Sequence, residues 1–424
     1  MRLIPATLQT AYANLLQAHL NVPPFEFDGA PFTMVRRGKT YWYVNQRTLG
    51  AGAPRQRYLG PDTEEMRERI ETMRAAASSQ NDFREHCSRL VAQIRTGNIP
   101  TLDRQTGPVL RSLCKSGVFR LGGTLVGTHA FRHYDLELGV VLTGDDAQDA
   151  KLRETEDLDI ASFERLSTVI ADEADPDLAN SLTELGFTPA NTLRKKQPTT
   201  WRHARSTYAV DFLTPSFDDD EAPRHLPALN IWAQGLHYLD FLIKDPMPAV
   251  SIYMEGLLVQ VPRPERYAVH KLIISQKRRA GSGAKSRKDA QQARAIIWAM
   301  AEDRPYEIKA AIEEADSMGA KWREALDYSL DIKFEASPFR YNFDSDVVRL
   351  EGVAMGQKML FAVSGEALED HFGASNSSGA SRHEAAGSNR SEIESLLKRK
   401  FRTQPSAQTL LTTADVEAFR KAKP

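Results

Sequence analysis

Three aspartates carried by two apolar segments are the residues of this sequence best suited to chemistry. Asp157 and Asp159 are separated by one leucine, so the two carboxylates would lie on the same face of a β-strand. Asp211 lies in the apolar run from Tyr208 to Leu213, where a carboxylate faces desolvation unless it is paired or bound to a metal ion. Such acids can hold Mg²⁺, which prefers oxygen ligands and usually also binds substrate phosphates. The alternative is a surface strand whose acids are solvated.

A glycine pair upstream of these acids is the second chemical feature. Gly122 and Gly123 are followed by Thr124, and a backbone without Cβ atoms can approach a phosphate group closely. Alone, the pair could also form a simple turn or a bulge. Together with the acids, it supplies the parts needed for metal-assisted transfer of a nucleotidyl group.

These segments together resemble the DNA polymerase β-type nucleotidyltransferase superfamily. The resemblance rests on Gly122-Gly123-Thr124, on the Asp157-Leu158-Asp159-Ile160 strand with Arg153 and Thr155 before it, and on Val210-Asp211-Phe212. The longer strings at 119–131, 155–161 and 210–215 are similar to bacterial nucleotidyltransferase-fold proteins of largely uncharacterised function. The resemblance extends over residues 30 to 330, within which residues 132 to 152 look like an insertion.

A reaction and a metal site are implied by this resemblance. NMP would pass from an NTP to an acceptor hydroxyl, and pyrophosphate would leave. Asp157 and Asp159 would hold Mg²⁺ against the triphosphate, and Asp211 with Asp159 would position a metal ion that lowers the pKa of the attacking hydroxyl. Arg153 and Thr155 would support the strand and the substrate.

Nucleotide-binding residues are implied as well. Gly122 and Gly123 would contact the β and γ phosphates through backbone N–H groups, and Thr124 would do so through its hydroxyl. The next segment, Leu125 to Phe131, would be a helix whose positive N-terminus faces the phosphates. Lys271, near the start of a later helix, would contact the nucleotide phosphates.

The acceptor stays open at this stage. RNA, and a tRNA end in particular, fits a toxin-like or defence-like setting and the local cationic excess from Lys277 to Arg294. A protein hydroxyl or a small molecule is an alternative acceptor. A catalytically silent nucleotide- or RNA-binding module on the same fold is the alternative from another functional class.

Composition limits the remaining functional classes. The chain has 424 residues, with 55 Lys plus Arg against 56 Asp plus Glu, so nucleic-acid binding would need local patches. The 2 cysteines indicate neither a disulfide scaffold nor a Cys-rich zinc site. No apolar run is long enough to span a bilayer, and the start of the chain lacks the layout of a signal peptide. We therefore expect a cytoplasmic protein without a membrane partner.

The surrounding pattern predicts an α/β (α+β) fold in four parts. Residues 1–115 form an N-terminal β-meander and helical region, 116–260 the mixed-sheet nucleotidyltransferase core, 261–334 a helical extension and 335–424 a small C-terminal α/β domain. The last part resembles a small bacterial domain of unknown function, best at Val363 to Gly373 and Asn389 to Glu394.

Three local predictions concern the flanking parts. The aromatic and basic strands within residues 32 to 59 are either a nucleic-acid surface or a meander whose aromatics pack on their neighbours. The helical pattern that follows Asp62 continues to about residue 96 with a break near Ala77 to Ser79. Residues 374 to 390, rich in Ser, Gly, Ala and Asn, read as a flexible loop.

Overall fold

A computed structural model describes residues 1–21, 31–36, 39–46, 55–143, 151–164, 167, 174, 177–190, 197–217, 220–277 and 283–421. The chain divides into two compact units. The first unit consists of Arg2–Val141 and Arg153–Pro262, and the second of Leu142–Leu152 and Arg263–Pro424 together with Met1. Both units mix helices with strands, so the predicted α+β class is confirmed. Among the described residues, no helix combines the length and the apolar character needed to cross a membrane.

The first unit contains both helices and strands along its whole length. Its helices are α1 (Ala6–Asn21), α2 (Glu64–Arg95), α3 (Thr106–Lys115), α4 (Gly127–Phe131), α5 (Tyr134–Leu138), α6 (Leu178–Glu184) and α7 (Leu239–Ile243). Its strands are β1 (Arg2–Leu3), β2 (Pro31–Arg36), β3 (Lys39–Gln46), β4 (Arg55–Pro61), β5 (Thr124–Val126), β6 (Val140–Val141), β7 (Asp157–Ala161), β8 (Phe187–Pro189), β9 (Thr200–His203), β10 (Ala209–Pro215), β11 (Pro223–Leu226), β12 (Ile231–Leu236), β13 (Met247–Ser251) and β14 (Leu257–Val261).

The largest sheet of the first unit is mixed and has β10 near its centre. Its strand order is β11-β12-β10-β7-β5, and β9 pairs with β10 and with β8. Strand β10 runs parallel to β7 and β12, whereas β5 runs antiparallel to β7. Apolar residues fill one face of the two central strands, and all of them are at most 1% exposed: Leu158, Ile160, Val210 and Phe212. This buried face fixes the register of β7 and β10 and leaves the opposite face to polar side chains.

The predicted N-terminal meander is present as the antiparallel sheet β2-β3-β4. Trp42 is 9% exposed, its indole Nε1 donates a hydrogen bond to Asp62 Oδ1 at 2.9 Å, and the Arg74 guanidinium lies 5.4 Å from its ring centre. These contacts favour packing for Trp42, while Tyr41 and Tyr43 are only partly buried. Helix α2 continues through Ala77 to Ser79, so the predicted break is wrong.

Four helices begin the second unit and a five-stranded sheet with further helices follows. The helices are α8 (Pro264–Lys277), α9 (Gly283–Met300), α10 (Pro305–Ser317), α11 (Ala320–Ser329), α12 (Gly365–Phe372), α13 (Gly379–Ser388), α14 (Arg390–Thr403) and α15 (Thr413–Lys421). The strands are β15 (Ile332–Phe334), β16 (Arg340–Asn342), β17 (Val347–Ala354), β18 (Gln357–Ser364) and β19 (Thr409–Leu411). The predicted boundary at residues 334 and 335 therefore falls inside one compact unit.

One prediction for the second unit is wrong. Residues 379–388 form α13 and not a flexible loop, because the Ser378 hydroxyl caps the helix by accepting a hydrogen bond from Ser381 N at 3.2 Å. Ala385 and Ala386 are buried on this helix. Small residues that suggest a loop by composition thus allow a closely packed helix here.

Candidate active site

The three predicted acids lie on adjacent strands of the mixed sheet. Asp159 of β7 and Asp211 of β10 are direct partners in a parallel ladder, and Asp157 is paired with Ala209 in the same ladder. Residues paired in this way share a face, and neighbouring strands are about 4.8 Å apart. Asp157 is two residues from Asp159 and therefore lies on that face too. The backbone thus brings all three acids to one side of β7 and β10.

These acids differ in burial from their chain neighbours. Asp157, Asp159 and Asp211 are each partly exposed, whereas Leu158 and Val210 are fully buried. Partial exposure lets water compensate a carboxylate charge that the apolar face could not. The acidic face is therefore the side of the sheet that a charged ligand can reach.

Asp211 is oriented by a residue of the neighbouring strand. Thr200 of β9 is paired with Asp211 of β10, and the Thr200 hydroxyl donates a hydrogen bond to Asp211 Oδ1 at 2.5 Å. The sequence places Thr200 just before the Asp211 strand, but spacing alone could not show this contact. A donated hydrogen bond favours the ionised carboxylate and restricts its rotation.

Asp159 is closely approached by a glycine that the sequence analysis did not single out. Gly127 follows Val126, the β5 residue paired with Asp159, and has a φ of 64°. A Cβ atom at Gly127 would lie 2.1 Å from Asp159 Oδ2, so a side chain at this position would have to displace the Asp159 carboxylate. The signal that could have found Gly127 is a single glycine directly after the apolar residues Leu125 and Val126, where β5 ends and α4 begins.

The glycine pair lies at the other end of the same strand. Gly123 precedes Thr124, which is paired with Ala161, and a Cβ atom at Gly123 would lie 2.6 Å from Val118 Cγ1. Three residues of strand separate Gly123 from Val126, which is roughly 10 Å. The close approach at Gly123 is thus to the turn around Val118 and not to the acids.

The predicted helix from Leu125 to Phe131 is wrong in its first two residues. Leu125 and Val126 belong to β5, where they pair with β7, and α4 begins only at Gly127, two residues later than the resemblance implied. Thr124 also lies in β5 and is 1% exposed. Its assigned role on the phosphates stays a prediction.

Arg153 supports the loop that leads into β7. Its guanidinium forms an ion pair with Asp135, whose side chain is fully buried, and its carbonyl accepts hydrogen bonds from Arg132 Nε and Nη2 at 3.1 and 2.6 Å. The Thr155 hydroxyl lies 3.2 Å from both the backbone N and O of Asp157. These contacts fit the supporting role that the resemblance implied.

A polar chain of contacts holds the residue that precedes β10. Tyr208 donates a hydrogen bond to Thr106 Oγ1 at 2.9 Å, and Thr106 Oγ1 donates to Asp103 Oδ2 at 2.9 Å. Burial raises the pKa of Tyr208, and the charge of Asp159 adds to that increase. Burial alone would raise the pKa of Asp103, but hydrogen bonds from Thr106 and Gln105 and the charge of Arg132 keep it below its usual value.

The fit of a metal ion can be judged from the donor set. In the described part of the chain, no three His, Cys, Asp or Glu side chains converge closely enough to form a ready-made metal cluster. Mg²⁺ is commonly held by one or two carboxylates together with substrate phosphates and water, so a complete protein cage is not required. The carboxylates of Asp159 and Asp211, neighbours on one partly exposed face, fit that requirement.

Lys271 lies in the second unit, on α8. Its side chain is 9% exposed, and its ammonium is 2.6 Å from Oδ1 of Asp289, which is 4% exposed. The ammonium also lies 5.3 Å from the centre of the Tyr267 ring. These partners give Lys271 a structural role, and its contact with nucleotide phosphates stays a prediction.

Comparisons with known proteins agree with this arrangement. A family model described as "Nucleotidyltransferase" matches residues 104–317, and one described as "Protein of unknown function (DUF1488)" matches residues 332–410. No curated protein and no solved structure matches the chain. The first match covers half of the 424 residues and contains all three acids. The chain therefore belongs to this nucleotidyltransferase family, with a C-terminal domain of unknown function.

Proposed function

We propose that this protein is a Mg²⁺-dependent enzyme that transfers NMP from an NTP to an acceptor hydroxyl at the acidic face of β7 and β10. The observation that carries the proposal is the direct pairing of Asp159 with Asp211 across the parallel ladder. Two carboxylates on one partly exposed face form a strongly anionic site that attracts a divalent cation. Family membership supports the general reaction class, NMP transfer.

Each acid has a separate part in the proposed reaction. Asp157 and Asp159 would hold Mg²⁺ on the triphosphate side, and Asp159 with Asp211 would hold it on the acceptor side. When bound, the ion supplies positive charge to the phosphates and lowers the pKa of the attacking hydroxyl. The Thr200 hydroxyl donates a hydrogen bond to Asp211 Oδ1, which restricts the rotation of the carboxylate that would bind the cation.

The turn at Gly127 has a positioning role in this proposal. Its lack of a Cβ atom lets Asp159 lie against the start of α4. Gly127 and Thr128 follow β5 directly beside Asp159, whereas Gly122 and Gly123 lie at the far end of β5. We therefore place the triphosphate next to the turn at Gly127. A triphosphate placed there would also contact Gly122, Gly123 and Thr124 only if it reached along β5 to its other end.

RNA is our proposed acceptor, with a tRNA end as the specific case. The support is local positive charge on α9, at Lys285, Arg287 and Lys288, in a chain whose net charge is −1. The following labelling experiment distinguishes an RNA acceptor from a protein or small-molecule acceptor. The full-length protein is incubated with each α-labelled NTP, Mg²⁺ and either total cellular RNA or total protein, and the labelled product is treated with ribonuclease or protease.

Asp211→Asn and Asp240→Asn form a matched pair for that experiment. Both acids are partly exposed, but Asp240 lies on α7 and is not a residue of the β7–β10 ladder. We expect ribonuclease-sensitive label with wild type and Asp240→Asn, and none with Asp211→Asn. Label that is sensitive to protease would show that the acceptor is a protein and not RNA. Equal labelling by Asp211→Asn and wild type would contradict the proposed site.

A catalytically silent binding module is the second candidate function. It is favoured by one observation, the lack of a ready-made three-ligand cluster among the described residues. Such a module would bind NTP and Mg²⁺ in a calorimetric titration but release no pyrophosphate with any acceptor pool. Pyrophosphate release that is lost in Asp211→Asn would exclude this candidate.

A further inference from the structure

The second unit contains a cavity of about 330 Å³, and Asp157, Asp159 and Asp211 are not among the residues that line it. It lies where α8, α9 and the end of α11 meet β15 and the turn between β17 and β18. Its floor is apolar or uncharged and includes Leu272, Ala290 and Val353. A concave site of this size with an apolar floor and a few polar groups is typical of small-ligand binding.

Positive charge dominates the walls of this cavity. Arg287 and Arg294 come from α9 and Lys333 comes from β15, while the one carboxylate, Asp331, is 2.9 Å from the Lys398 ammonium. Arg294 donates a hydrogen bond to the Met355 carbonyl at 3.0 Å, which fixes its guanidinium beside the cavity. An anion in the cavity would therefore meet an excess of cationic side chains.

Two of these cations are available for a ligand. Within the described residues, Arg287 and Lys333 have no carboxylate within salt-bridge distance, and both side chains are exposed at the rim. Guanidinium groups bind phosphate oxygens through paired N–H donors, and a Lys ammonium adds a point charge. A phosphate group is the anion that suits this pair.

An exposed aromatic ring completes the cavity wall. Tyr328, near the end of α11, is 69% exposed although it is a large hydrophobic residue. Nucleobases stack on such rings without regard to sequence. The amide side chains of Gln276 and Gln291 lie on the same wall and can donate or accept hydrogen bonds.

We propose that this cavity binds a nucleotide unit, with Arg287 and Lys333 on its phosphate and Tyr328 stacked on its base. Two ligands carry this phosphate and base: one nucleotide within a single-stranded RNA, and a free mononucleotide. Arg287 also belongs to the positive charge that supports RNA as the acceptor, but the cavity includes none of the three acids, so binding here does not require the proposed transfer reaction.

Fluorescence anisotropy of the full-length protein tests this site. The probe is a labelled ten-nucleotide single-stranded oligoribonucleotide, and the competitors are AMP and the same oligonucleotide without the label. Arg287→Gln combined with Lys333→Gln should reduce the magnitude of the slope of log affinity against log salt by about 0.7, since both cations contact the same phosphate and each single-strand phosphate contact contributes about 0.7. Tyr328→Ala should weaken oligonucleotide binding about tenfold. Thermal unfolding checks that each variant is folded.

Lys321→Gln combined with Arg323→Gln is the matched control. Both residues are exposed on α11 but do not line the cavity. The control should keep the wild-type salt slope. Competition by AMP at low concentration would identify a free mononucleotide as the ligand, and competition only by unlabelled oligonucleotide would identify RNA. No binding by wild type, or equal slopes for the cavity variant and wild type, would overturn the proposal.

Discussion

Replacing Gly127 by alanine should damage catalysis much more than stability. The new Cβ atom would be 2.1 Å from Asp159 Oδ2, and the two atoms would have to move apart by roughly 1 Å to reach ordinary contact. The carboxylate is the end of a side chain and can rotate away, so the fold can adapt. A displacement of about 1 Å in a catalytic group can cost about 100-fold in rate. We therefore expect turnover to fall about 100-fold.

The backbone conformation adds a separate cost in stability. Gly127 has a φ of 64°, and an alanine in this left-handed region costs about 1 kcal/mol. Gly373 has a φ of 78°, but a Cβ atom added there would meet nothing within 4 Å. Gly373→Ala therefore carries the same backbone cost without displacing an acid.

The assay compares both variants with wild type. Pyrophosphate release gives turnover, and urea unfolding gives the free energy of unfolding. We expect each variant to lose about 1 kcal/mol of stability, while only Gly127→Ala loses turnover. Wild-type turnover in Gly127→Ala, or an equal loss in Gly373→Ala, would refute the argument that Gly127 exists to admit Asp159.

Three further predictions test other contacts. Thr200→Val removes the hydroxyl that donates to Asp211 and should lower turnover about tenfold with a small change in stability, whereas Thr200→Ser should restore most of the activity in the same assay. Lys271→Ala removes the buried ammonium that lies 2.6 Å from the Asp289 carboxylate and should lower the free energy of unfolding by about 3 kcal/mol. Lys271→Met combined with Asp289→Leu should recover stability, and if this variant binds all four NTPs as tightly as wild type, Lys271 does not contact the phosphates. Burial lowers the pKa of His133 from 6.5 to about 4. The contribution of the neutral His133 to stability is therefore complete above pH 6.5 and is lost as the pH falls towards 4. Urea unfolding should show the corresponding fall in the free energy of unfolding in wild type and not in His133→Gln.

Side-chain spacing predicted part of the acidic face, and the resemblance supplied the rest. Asp157 and Asp159 share a face because strands alternate, and an apolar run around Asp211 indicated a second buried strand. The side-by-side register of Asp159 and Asp211 was not predictable, because strand pairing depends on how distant segments meet in the sheet.

Contacts between distant residues account for most of what the sequence could not indicate. Thr200 donates a hydrogen bond to Asp211, and Gly127 closely approaches Asp159. Both contacts are visible only in the three-dimensional structure. The resemblance implied a helix that begins at Leu125, but pairing with β7 makes Leu125 and Val126 a strand. The cationic cavity combines residues from 272 to 356 in the chain, and its charges are dispersed in a sequence with a net charge of −1.

The fate of two differently labelled phosphates tests the central claim most directly. The protein is incubated with Mg²⁺, the acceptor pool and ATP that is labelled either on the α or on the γ phosphate. Nucleotidyl transfer at the acidic face predicts that α label enters the acceptor and γ label leaves as pyrophosphate, and that Asp211→Asn abolishes both events. Transfer of γ label to the acceptor, or unchanged α transfer by Asp211→Asn, would contradict the account.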